Sequence, residues 1–143
     1  MVSTEAPGSG AAVPFESFLD ELLGVLTLRF GHDYSGAAGQ AAMLQVVLEL
    51  SKDQRRKLRG VILDCSTVVK VDLRDSDRAK LASFTRKLEG LEFDVQGVPV
   101  VIAATHPVIA QRFERQKGQT AYPIFLAPNV GAARRLLETG GWI

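Results

Sequence analysis

Apolar and polar residues alternate from Gly24 to Phe30, putting Leu26, Leu28 and Phe30 on one side and Thr27 and Arg29 on the other. A period of two is that of a half-buried strand. Val61-Ile62-Leu63 is a short unbroken apolar run closed by Asp64 and Cys65, the pattern of a central parallel strand covered on both faces. Val98 to Ala103 repeats it, with Pro99 near the start, where a missing N–H is tolerated, and Pro123 to Leu126 supplies a shorter strand. Between these runs the period lengthens. Ala42, Met43, Val46, Val47 and Leu50 recur at helical spacing in a helix expected from Ala37 to about Leu50. Asp75-Ser76-Asp77 offers an N-cap and first-turn acids for a helix through Glu89, with Ala79, Leu81 or Ala82, Phe84 and Leu88 facing inward. His106-Pro107 begins a helix with Val108, Ile109 and Phe113 on one face, and Asn129 caps a last helix stopped by Gly140-Gly141.

The remaining segments are less periodic. Phe15, Phe18, Leu19, Leu22 and Leu23 recur at helical spacing, so 15–23 reads as a short amphipathic helix, an edge strand being the other element that fits there. Gly31 to Gly36 reads as a turn, Lys52 to Arg59 as a solvated helix end or loop, and Ser66 to Asp72 as an extended link. From residue 24 onward the order is β-α-β-α-β-α-β-α. Alternation of that kind means a mostly parallel sheet with helices packed against it. The expected fold is α/β: a single sheet of four to five strands with about four helices. Residues 1–14 read as a flexible tail, rich in Gly, Ser and Ala, and 15–143 as one domain.

Composition narrows the chemistry. Of 143 residues 46% are apolar, which places the chain among globular proteins, and 17 basic against 16 acidic residues leave a formal charge of +1. That balance carries no footprint for nucleic acid or for an anionic membrane. A single cysteine, Cys65, excludes an internal disulfide and any zinc site of several thiolates. The first ten residues lack the basic and apolar regions of a signal peptide, and no apolar run approaches the ~20 residues a membrane helix needs, so the expected setting is cytoplasmic, without membrane insertion.

Val61-Ile62-Leu63-Asp64, followed by Val68-Val69-Lys70-Val71-Asp72 and then Asp75-Ser76-Asp77-Arg78, resembles the core of the STAS family, the SpoIIAA-type anti-sigma-factor antagonists and the cytoplasmic domains of sulphate transporters. In that family a strand ending in Asp leads through a short extended link to an Asp-Ser-Ser-Gly-like turn that opens a helix. Val98 to Phe113 resembles the family's next strand and helix, and Pro123 to Leu137 its last pair, so the resemblance spans about four-fifths of the chain. It implies a SpoIIAA-like fold and a non-enzymatic regulatory role, with a protein partner of the anti-sigma or kinase-like ATPase type and no cofactor or metal. It also implies a partner surface at Asp72, Asp75, Ser76, Asp77, Arg78, Lys80 and Thr105. A homodimer is equally compatible with the sequence. The phosphorylated turn departs from the pattern. With Asp75 matched to the family aspartate, Ser76 falls on the first serine and Asp77 on the phosphorylated one; with Asp72 matched instead, Leu73 and Arg74 take the serine positions. Ser76 is therefore the phosphorylation candidate, and the standard serine switch is not expected. Asp77 imitates phosphoserine only crudely, having less charge and fewer acceptor oxygens.

Other chemistries are open to the same residues. Cys65 after a buried strand and His106 after its neighbour form a conceivable nucleophile pair, a hydrolase reading. No arginine stands six residues after the cysteine, where Val71 lies, so a phosphatase loop is not expected and an inert thiol is the simpler expectation. Gly31, Gly36 and Gly39 lack dinucleotide-loop spacing, and His32 with Asp33 makes only two metal ligands. A receiver-like reading has Asp64 and Thr105 in place, yet lacks an acid pair after the first strand and a lysine before Pro128. The alternative from another class is a small-molecule or lipid sensor, with a cavity around Met43, Val47 and Phe113.

Overall fold

Side chains alternate across a strand, and over Val61–Leu63 and Val100–Ala103 both sides of the alternation are apolar. The computed structural model describes residues 15–72, 97–118 and 123–143. Its strands are β1 (Phe15–Asp20), β2 (Val25–Phe30), β3 (Asp33–Ser35), β4 (Gly60–Asp64), β5 (Lys70–Asp72), β6 (Val100–Ala103) and β7 (Ile124–Ala127). Its helices among these residues are α1 (Gly36–Glu49), α2 (Lys52–Arg56), α3 (Pro107–Gln116) and α4 (Val130–Thr139). Five strands form one sheet in the order β1-β2-β4-β6-β7, and β3 with β5 forms a second, two-stranded parallel sheet. In the large sheet β2, β4, β6 and β7 run parallel, and β1 is antiparallel to β2.

Two apolar clusters cover the two faces. Leu26, Leu28 and Phe30 of β2, Val61 and Leu63 of β4 and Val100 of β6 pack on Ala42, Met43, Val46 and Val47 of α1 and Ile109 of α3. Val25, Ile62, Val101, Ala103 and Ala127 point the other way, onto Ala133 and Leu137 of α4. Every residue of β4 is buried for this reason. Gly60 serves the second face, since a Cβ there would sit 2.8 Å from Leu137 Cδ1.

The first segment departs from the helix expected over 15–23. It is an edge strand, paired from Phe15↔Phe30 to Asp20↔Val25. Its turn is made by Asp20 Oδ1, which accepts from Leu22 N–H at 3.1 Å and Leu23 N–H at 3.2 Å. Gly24 closes it at φ +71°, a left-handed conformation that favours glycine. β2 offers an unpaired ladder edge, and pairing it satisfies more backbone groups than an isolated helix of about two and a half turns would. The expected turn at 31–36 contains β3, and the charged stretch after α1 forms α2 with a capping box, Ser51 Oγ accepting from Gln54 N–H and Gln54 Oε1 from Ser51 N–H. The helix expected over 75–89 lies outside the described residues.

Candidate partner-binding rim

The parallel strands deliver their carboxyl ends to one rim, the place where open α/β sheets carry their sites. Phe30, Asp64, Ala103 and Ala127 are the last residues of β2, β4, β6 and β7. Asp64 is buried there and stands in register with Arg29. Arg29 Nε donates to its Oδ2 at 3.3 Å, while Ser66 N–H and Oγ donate to Oδ1 at 3.0 and 2.6 Å. The carboxylate is thus spent on turning the chain out of β4. A buried charge needs such partners, and these leave little capacity for chemistry.

From that turn the chain runs into β5. Thr67 Oγ1 donates to the carbonyls of Phe30 and Gly31, both at 3.3 Å, and the His32 carbonyl accepts from Val69 N–H at 2.8 Å and Lys70 N–H at 3.0 Å. β5 then pairs with β3, Asp33 opposite Lys70 and Ser35 opposite Asp72. Asp72 is exposed at the strand end. Asp75, Ser76, Asp77, Arg78 and Lys80 lie outside the described residues. Thr105 is exposed just past β6.

His106 joins the two sides of this rim. Its Nδ1 accepts from Val108 N–H at 3.2 Å, capping α3, and its Nε2 lies 3.1 Å from the Val69 carbonyl. One neutral tautomer, with the proton on Nε2, satisfies both contacts. Thr105 is thereby tied to the link that ends in Asp72.

The same contacts undo the Cys65–His106 nucleophile. Both imidazole nitrogens are committed to backbone groups, and Cys65 is 1% exposed. Burial, and then the neighbouring Asp64 charge, push its thiol from 9.0 up to about 12. A nucleophilic thiol needs the opposite shift. Cys65 instead packs in the larger core cluster, and its N–H donates to the Ala103 carbonyl at 2.8 Å. The receiver-like reading fails on topology. A receiver's doubly wound sheet is all parallel with order 2-1-3-4-5, whereas this sheet begins with an antiparallel edge pair. Asp33, the lone acid after β2, faces His32 Nδ1 at 2.6 Å. Of the sensor residues, Met43 and Val47 fill the core between α1 and the sheet, and Phe113 is half-buried. No group of three or more potential metal ligands occurs among the described residues. No described helix is long and apolar enough to cross a membrane.

No protein-family model matches the chain. No curated protein matches it either. Solved structures do. The chain superposes on the anti-sigma factor antagonist SpoIIAA in its unphosphorylated form with a TM-score of 0.51 at 12% identity, covering 87% of this chain and 98% of that one. It also superposes on an anti-sigma factor antagonist from Mycobacterium paratuberculosis with a TM-score of 0.53 at 17% identity, covering 94% of this chain and 99% of the other. An antiparallel edge pair, three further parallel strands and helices on both faces, matched over nearly the whole of both structures, give this chain the SpoIIAA-like fold.

Proposed function

We propose that the chain is a non-enzymatic regulatory module that binds a protein partner through the carboxyl rim of its sheet. Asp72, Asp75, Ser76, Asp77, Arg78, Lys80 and Thr105 form the contact surface in this reading. The partner is of the anti-sigma or kinase-like ATPase type, and Ser76 is the residue open to phosphorylation. The observation that carries it is the use made of the reactive groups at the rim. The Asp64 carboxylate and the His106 ring hold the backbone and the Cys65 thiol is buried in the core, while Thr105 and Asp72 lie on the exposed surface. A rim built to shape a surface suits recognition better than turnover. The fold shared with two anti-sigma factor antagonists supports the same class.

The test is recovery of cellular partners on immobilised wild type and on a Ser76→Ala, Asp77→Ala double variant, with Thr105→Ala alongside. A contact residue at the centre of such a surface is worth roughly tenfold or more in affinity. Loss of one partner with the double variant supports the site. Equal recovery of every partner removes it. Incubation with the recovered partner and ATP, read by mass spectrometry, decides whether Ser76 accepts phosphate.

A further inference from the structure

The opposite end of the sheet carries a second feature, independent of the rim. The β1–β2 turn projects Leu22, 97% exposed, and Leu23, 42% exposed, beyond the amino end of β2. Directly beside it stands the segment from α2 to β4. Gln54 Nε2 donates to Glu21 Oε1 at 3.1 Å, and Arg59 N–H donates to the Gly24 carbonyl at 2.7 Å. That segment, 52–59, holds five basic residues, Lys52, Arg55, Arg56, Lys57 and Arg59, against one acid, Asp53. Lys52, Arg56, Lys57 and Arg59 are exposed. Of the acids nearby, Asp53 pairs with Lys57 at 3.1 Å, Glu21 with Gln54, and Asp20 with Arg134 at 3.6 Å and with the turn amides, while Glu49 is exposed at the end of α1. Counting Asp53, Glu21 and Glu49 against the five cations of 52–59, these residues carry an excess of two positive charges on a chain whose total is +1. The near-neutral total therefore hides a local surplus of positive charge.

From this juxtaposition we propose that the amino end of the sheet docks on an anionic lipid surface, Leu22 and Leu23 entering the interface while Lys52, Arg56 and Arg59 meet the headgroups. A protruding pair of leucines with cations on the adjoining segment matches such a surface, where shallow apolar burial and attraction to anionic headgroups act together. A flat protein patch would leave a tip of that kind nothing to enter. The strands separate this end from the carboxyl rim by roughly 17 Å, about five residue steps along β2, so docking leaves the rim facing away from the lipid.

The experiment is co-sedimentation of the full chain with vesicles of equimolar phosphatidylglycerol and phosphatidylcholine, against phosphatidylcholine alone, at low and high salt. Wild type binds the anionic vesicles and is released by salt. Leu22→Ser with Leu23→Ser weakens binding roughly tenfold or more, and Lys52→Gln, Arg56→Gln, Arg59→Gln roughly a hundredfold. Unfolding midpoints of both variants confirm that they fold, and the single variant Leu22→Ser, at a position touching solvent almost completely, serves if the double leucine change does not fold. Polyglutamate in place of vesicles covers the competing occupant. No sedimentation with anionic vesicles, undiminished binding by the leucine variants, or polyglutamate binding that ignores the leucines each overturns the proposal.

Discussion

At the scale of single residues, the rim is held by groups that look reactive and are spent on structure. Cys65 makes this measurable. Its thiol stays neutral in the folded protein up to about pH 12, whereas in the unfolded chain it ionises from about 9.0. Above the lower value the unfolded state binds fewer protons, so stability falls as pH rises through that window and is untouched below it. The contribution reaches at most about 1.4 kcal/mol per pH unit. Urea unfolding at pH 7.5 and 10 is expected to show a loss in wild type that Cys65→Ala lacks, and native Cys65 is expected to resist alkylation at neutral pH. His106 is the second case. Removing its ring in His106→Ala costs about 1–2 kcal/mol through the α3 cap. His106→Asn restores a capping group but cannot span to the Val69 carbonyl, 3.1 Å from the present Nε2. It is expected to recover most of that stability while hydrogen exchange at Val69 and Lys70 stays faster than in wild type. Equal exchange in the two proteins would mean that the His106–Val69 contact does not hold the rim.

Among elements, the turns and edges were harder to read than the buried strands. The apolar runs of β4 and β6, and the 3.6-residue stripe of α1, lie where periodicity puts them, because burial on both faces leaves one workable pattern. The Asn129 cap and the Gly140 stop of α4 were equally legible, being local chemistry. β1 was not. Phe15, Leu19 and the exposed Phe18 satisfy helical spacing, yet Phe18 lies on the outer face with the Arg29 guanidinium 5.4 Å above its ring. β3 and β5, of three residues each, are too short to show any period. Gly24 and Gly60 separate two kinds of requirement. At Gly24 the backbone is at φ +71° and a Cβ would press on the Lys57 carbonyl, so Gly24→Ala is expected to cost about 1–3 kcal/mol. At Gly60 the obstacle is the flexible end of Leu137, which can turn aside. Gly60→Ala is expected to lower the thermal midpoint less, and the reverse order would show that the hairpin tolerates another turn.

For the molecule as a whole, the two proposed surfaces lie at opposite ends of the strands. The carboxyl rim carries Asp72, Thr105 and the His106 tie, and the amino end carries the leucine tip beside the basic segment 52–59. A partner at one end and a lipid surface at the other do not compete for the same residues. Disabling Leu22 and Leu23 is therefore expected to leave partner recovery through the rim intact, and the Ser76, Asp77 variant to leave vesicle binding intact.

Alone, the sequence determined the order of the main described elements from residue 24, the faces they bury and the α/β class, since these follow from the spacing of apolar residues a few positions apart. It also marked Asp64, Thr105 and His106 as neighbours of strand ends. Folding decided which strand pairs with which, that 15–20 extends instead of coiling, that His106 reaches Val69, and that Cys65 is inert. Each depends on residues distant in the chain meeting in space. Charge obeys the same division: a sum over the sequence gives +1, and only the fold says that the basic segment 52–59 lies beside two exposed leucines.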